Sequence, residues 1–172
     1  MFNWFQTSLK PVNTENISIG IMDISNVDKK TFDNFMENYR RDFDNLCVNP
    51  KTNQRTQNIF QEIPDNYEFA KKGFFHKKII YLYKQYNEPN KYDILAFAII
   101  SPIITTTSNS NIVVIDILCS TKDKTIRMKG KALGIFLLDY IYSLYVIDNK
   151  SILCIQPATP ELVSYYTNWK LP

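Results

Sequence analysis

The sequence predicts an α+β domain: a mixed, mostly antiparallel sheet with one parallel strand pair and helices flanking it. Three observations predict it. Apolar, β-branched runs at residues 78–86, 92–101 and 112–120 are separated by polar turn segments, as in a meander. Residues 28–46 and 130–146 repeat apolar side chains at helical spacing. A strand, a helix and a second strand follow one another over residues 112–155, an order that closes as a right-handed crossover with the two strands parallel.

Each element has a local reason. Residues 17–24 alternate small or polar with apolar side chains and read as a strand. Ser25, Asn26 and Asp28 offer helix caps. Phe32, Phe35, Met36, Tyr39 and Phe43 then form the apolar face of a helix over residues 28–46, with Pro50 just beyond as a stop. The polar stretch 51–72 carries a short helix near residues 56–62 and a turn at Pro64-Asp65-Asn66. Strands 78–86 and 92–101 pair as a hairpin across the turn 87–91, and residues 105–111 form a polar loop. Residues 112–120 are apolar enough to be a central strand. In the helix 130–146, Leu133, Phe136, Leu137, Tyr140, Ile141 and Leu144 share one broad face. A turn at 148–150 leads to a short buried strand, 151–155. The last helix starts with Thr159 as cap and Pro160 at its first position and runs to about Asn168. No repeat or linker interrupts this order, so residues 1–172 read as a single domain.

Composition narrows the function classes. A net charge of +3 without a basic stripe argues against a nucleic-acid partner. The N-terminus lacks a signal-peptide pattern and no apolar run is long enough to span a bilayer, so a soluble cytoplasmic protein without a membrane partner is expected. Cys47, Cys119 and Cys154 are odd in number, and two of them fall in predicted buried strands. This fits free thiols in a reducing compartment. His76 is the only histidine and no metal-ligand spacing occurs, so no metal and no Ser-His-Asp triad are expected; His76 reads as a solvated residue before a strand.

The stretch Arg127-Met128-Lys129-Gly130-Lys131-Ala132 lies between an apolar strand and an amphipathic helix. The first turn of a helix has N–H groups without internal partners and partial positive charge. A phosphate or pyrophosphate is the natural guest there. Arg127, Lys129 and Lys131 add full charges, and Gly130 lets the backbone come close.

This stretch and its setting resemble the GNAT superfamily of acetyl-CoA-dependent N-acetyltransferases. That family's coenzyme motif is Arg or Gln, two residues, Gly, one residue, then Gly or Ala, and residues 127–132 match it in register. Asp116-Ile117-Leu118-Cys119-Ser120 resembles the strand before the motif. Ile155-Gln156-Pro157-Ala158 through Val163-Ser164-Tyr165-Tyr166 resembles the strand and helix after it. The resemblance implies a GNAT-like fold whose parallel strand pair splays apart, and direct transfer of acetyl from acetyl-CoA to a primary amine in a ternary complex. The acceptor would be a small amine, an amino sugar or a protein amine.

The resemblance also implies roles. Backbone N–H groups of Met128, Lys129, Gly130, Lys131 and Ala132 would hold the pyrophosphate, with Arg127 and Lys129 nearby. The backbone of Leu118, Cys119 and Ser120 would pair with the pantetheine amides, and the thioester would enter between residues 117–119 and 154–156. Tyr166 aligns with the family's Tyr, three residues, Gly-Phe pattern and is the implied acid for the departing thiolate, with Tyr165 as its neighbour. Asp116, the one carboxylate in the central strand, is the candidate base. Strict alternation puts it on the face of Leu118, opposite Ile117 and Cys119. The acceptor is expected against residues 28–72 and 105–111.

Three departures from the family pattern carry expectations of their own. The link 121–126 is longer than usual and should bulge as a basic loop over the phosphates. Lys170-Leu171 replaces Gly-Phe. The family's two final strands have no counterpart after the last helix, which would leave an open edge beside residues 151–155. A second copy in a homodimer, or the segment Phe2 to Leu9, is the expected cover. The alternative function is a GNAT-fold module that binds acyl-CoA or a protein partner without turnover.

Overall fold

The computed structural model describes residues 16–47, 67, 76–88, 92–103, 111–147, 150–155, 157 and 160–170. Its strands are β1 (Ile17–Asp23), β2 (Lys78–Gln85), β3 (Tyr92–Ile103), β4 (Ile112–Ser120), β5 (Arg127–Met128), β6 (Lys131–Ala132) and β7 (Ile152–Ile155). Five of them form one sheet in the order β1-β2-β3-β4-β7. Neighbours are antiparallel except β4 and β7, which are parallel across the crossover. The architecture is therefore the predicted mixed α+β one, mostly antiparallel with one parallel pair.

Helix α1 (Lys29–Leu46) covers one face of this sheet. Asp28 caps it, accepting from the Thr31 N–H at 2.9 Å. Its apolar stripe buries Phe32, Phe35, Tyr39, Phe43 and Leu46. Phe43 meets Phe97 of β3 edge-on at 4.6 Å, and the Asp42 carboxylate accepts from the Ile94 N–H at 2.9 Å, which fixes the helix along β3. Helix α2 (Leu133–Tyr142), which runs on into a π-turn at Ser143–Ile147, covers the other face with α3 (Pro160–Thr167) beside it. The α1 side of the core holds Ile79, Phe97, Ile99, Ile117 and Cys119; the α2 side holds Ile80, Leu82, Ala98, Ile100, Val113 and Ile115.

One irregularity in β4 sets up the site. Ile100 pairs with Ile115, yet Ile99 pairs with Ile117, so Asp116 is an extra residue. A bulge of this kind bends the strand and breaks its alternation. Before the bulge, Val113 and Ile115 face α2; after it, Ile117 and Cys119 face α1. The alternation expected for Asp116 is corrected accordingly: it leaves the Leu118 face and joins the side of Ile117.

Other expectations change as well. The helix expected from residue 130 starts at Leu133, because residues 127–132 fold into a β5–β6 hairpin. The strand expected to be buried at 151–155 is the edge of the sheet among the described residues: Ile152 is 53% exposed and Cys154 is exposed. The expected short helix at 56–62, the turn at 64–66, the segment 2–9 and most of the loop 105–111 lie outside the described residues. No described helix is long and apolar enough to cross a membrane.

The expectation of free thiols is overturned for two of the three cysteines. Cys47 at the end of α1 and Cys119 near the end of β4 form a disulfide, with Cα atoms 5.4 Å apart. The bulge at Asp116 is what turns Cys119 toward α1, so spacing along the chain could not reveal the pair. Closing a loop across 72 residues constrains the unfolded chain substantially. Reduction, or Cys47→Ser, is expected to destabilise the fold by about 2–4 kcal/mol, read as a lower urea midpoint. An unchanged midpoint would mean that the bond contributes nothing.

Candidate functional site

Among the described residues, the parallel pairing of β4 and β7 runs from Ile112 opposite Ile152 to Ile115 opposite Ile155. β4 continues to Ser120, still paired on its other side with β3 from Ile99 opposite Ile117 to Ala96 opposite Ser120. Among the described residues the two strands thus fork at the Asp116 bulge. Beyond the fork, the β4 backbone groups that point away from β3 have no described β7 residue opposite them. Backbone N–H and C=O groups in such a place require partners, and an extended, amide-bearing ligand supplies them as an added strand would.

Three elements meet at the far end of the fork. A Cβ placed on Gly134 would lie 3.1 Å from Ser120 Oγ and 3.4 Å from the Tyr165 hydroxyl. Glycine in the first turn of α2 is therefore what lets the end of β4 and the α3 tyrosine close on the same point. Tyr165 and Tyr166 pack edge-to-face at 5.3 Å. Tyr165 remains 42% exposed, while Tyr166 packs with Trp169 against the α2-side core. Burial raises the pKa of both phenols above the ordinary tyrosine value, and the neighbouring Tyr165 raises that of Tyr166 further. The motif points to Tyr166; the hydroxyl that stands beside Ser120 and the α2 N-terminus belongs to Tyr165.

The basic motif leads directly into α2. It is a tight hairpin in which Arg127 pairs with Ala132 and Met128 with Lys131. Lys129 (φ 49°) and Gly130 (φ 75°) turn the chain, both left-handed, as two-residue hairpin turns of the primed type require. Arg127 Nη1 donates to the Gly130 carbonyl at 3.1 Å and steadies the turn. Helix α2 follows directly, and its N-cap Ala132 supplies no side-chain cap, so first-turn N–H groups are left for another acceptor.

The three basic residues do not share one role. Lys131 is ion-paired with Asp139, whose other oxygen accepts from Trp169 Nε1 at 2.9 Å. Lys129 lies over the Phe136 ring, 6.0 Å from its centroid, with no carboxylate partner among the described residues. A cavity of about 240 Å³ lies against α2, lined by Lys129, Lys131, Phe136, Asp139, Tyr140 and Ser143. The preceding link, 121–126, is held by hydrogen bonds of its own. Thr121 N–H bonds to the Leu95 carbonyl at 2.8 Å, and Asp123 accepts from Thr125 N–H at 2.9 Å and Thr125 Oγ1 at 2.6 Å.

At the fork itself Asp116 belongs to a polar cluster. Its Oδ2 accepts from Lys77 Nζ at 2.8 Å and from Ser101 Oγ at 2.5 Å. Lys77 Nζ also donates to Ser101 Oγ at 2.8 Å. Oδ1 accepts no hydrogen bond from the described residues. Lys77 and Ser101 are 7% and 4% exposed, whereas the Asp116 side chain is 28% exposed. Sequence reasoning misses Lys77 and Ser101. A signal exists for Ser101, a polar residue inside the apolar run Ile99-Ile100-Ser101-Pro102. What cannot be read is the register, which sets Lys78 opposite Ile100 and so brings residue 77 level with Ser101.

No protein-family model matches the chain, and no curated protein matches it. Solved structures do. A ribosomal-protein-alanine N-acetyltransferase from Brucella melitensis biovar Abortus 2308 is 11% identical, with 91% of each chain covered and a TM-score of 0.46. An integron cassette protein from the mobile metagenome of V. cholerae is 14% identical, with 88% of this chain and 83% of that one covered and a TM-score of 0.46.

Proposed function

We propose that this protein is an N-acetyltransferase that moves the acetyl group of acetyl-CoA to a primary amine: a small amine, an amino sugar or a protein amine. The observation that carries the reading is the fork at Asp116, where β4 runs on past its described pairing with β7 and offers backbone without a described β7 partner between a carboxylate and a tyrosine hydroxyl. The residues suit a coenzyme A thioester. Leu118, Cys119 and Ser120 offer strand-like pairing to the pantetheine amides. The hairpin turn and the first turn of α2 offer N–H groups and positive charge to the pyrophosphate, with Lys129 and Arg127 as the nearest cations.

The chemistry follows from these positions. The amine loses a proton to Asp116 Oδ1, directly or through water, and its nitrogen attacks the thioester carbonyl. An N–H of β4 beyond the fork stabilises the oxyanion of the tetrahedral intermediate. The C–S bond then breaks, and the Tyr165 hydroxyl gives its proton to the thiolate. A phenol with a raised pKa is held protonated for that step. Tyr166 serves as the ring against which Tyr165 is set.

Free thiol released from acetyl-CoA in the presence of a panel of amines tests this. Wild type is expected to release thiol with at least one amine. Tyr165→Phe should lower kcat on the order of 10²-fold and Tyr166→Phe much less. Coenzyme binding without release on any amine would instead identify a binding module.

A further inference from the structure

We propose that Lys77 and Ser101 are positioning residues for Asp116, so that the three side chains act as one device that presents a single carboxylate oxygen to the acceptor. The proposal rests on the acetyl-transfer reading and deepens it. Lys77 stands at the start of β2, Ser101 near the end of β3 and Asp116 at the bulge of β4. Both donors fall on the same oxygen, Oδ2, at 2.8 and 2.5 Å, and the Lys77–Ser101 bond at 2.8 Å closes the triangle. The bond directions agree: the ammonium donates to the hydroxyl oxygen, and the hydroxyl hydrogen goes to the carboxylate. The carboxylate plane is thereby fixed, and Oδ1 is left to take a proton.

The arrangement costs more than a structural role requires. Burying the Lys77 ammonium beside a carboxylate carries a desolvation penalty, and apolar residues of similar volume often serve stability as well or better. The ammonium is also set from a fixed base, since the Lys77 carbonyl accepts from the Ile24 N–H at 2.9 Å. The asymmetry of exposure fits the same role. The donors are enclosed, and only the carboxylate is open to solvent at the fork.

Steady-state kinetics on Ser101→Ala, Ser101→Thr, Lys77→Met and Lys77→Met/Asp116→Asn test the device. Ser101→Ala is expected to lower kcat about tenfold with KM for acetyl-CoA within about twofold, and Ser101→Thr, which keeps the hydroxyl, to restore it. Lys77→Met should lower kcat more than Ser101→Ala, and the double variant should lose no more than Asp116→Asn alone. Coenzyme-dependent thermal stabilisation reports which variants are folded; should Lys77→Met fail to fold, the Ser101 pair decides. Wild-type kcat in Ser101→Ala, or no recovery in Ser101→Thr, would overturn this proposal while leaving acetyl transfer standing. A wild type that releases no thiol with any amine would overturn both.

Discussion

Asp116→Asn is expected to lower kcat for acetyl transfer on the order of 10³-fold while KM for acetyl-CoA stays within about twofold. The substitution is nearly isosteric. An amide oxygen can still accept from Ser101 and Lys77, which donate to Oδ2 in the wild type. The bulge, the β3–β4 register and the fork therefore persist, and coenzyme-dependent stabilisation should be retained. What is lost is a group able to take a proton from the acceptor amine. A kcat near wild type at saturating acceptor would remove Asp116 from the chemistry and leave the polar cluster a structural one.

Gly130→Glu is expected to abolish coenzyme-dependent stabilisation. Two effects act together and can be separated. Gly130 has φ +75°, so any side chain there is strained by about 1–2 kcal/mol, although a Cβ would meet nothing within 4 Å. Gly130→Ala carries the strain without the charge and should keep most of the coenzyme response. The glutamate adds a carboxylate beside Lys129 at the crown of the hairpin that leads into α2, where the phosphates are proposed to bind. A Gly130→Glu variant with the full wild-type response would place the phosphates elsewhere.

Local features are legible in the sequence and pairing between distant segments is not. The strands of the meander, the capped α1 and the parallel β4–β7 pair follow from periodicity and turn chemistry within short windows, and they stand where the sequence puts them. The bulge at Asp116 is a matter of pairing with β3, and no window on β4 alone reveals it. Three differences between sequence and structure descend from it. Asp116 changes face, Cys119 turns to bond with Cys47, and the Lys77–Ser101–Asp116 triangle assembles from three separate strands. Helix α2 starts later than its periodicity suggests because Lys129 and Gly130 form a tight turn that a helical pattern absorbs. The apolar run 151–155 does not by itself show that β7 is exposed, because such a run reads alike in the centre and at the edge of a sheet; the open edge beside it is what the family resemblance implies. The close approach of Tyr165 to Gly134 is a contact between α2 and α3 that the motif does not encode.

Acetyl transfer at this site requires that the fork hold a coenzyme A thioester. Thermal unfolding of the wild-type chain with and without millimolar acetyl-CoA measures this most directly. At ligand well above Kd, on the order of a hundredfold, binding adds about 2.7 kcal/mol, which for a chain of this size raises Tm by roughly 5–10 °C. That rise, absent in Gly130→Glu, is the predicted result; a Tm unmoved by millimolar acetyl-CoA would contradict it.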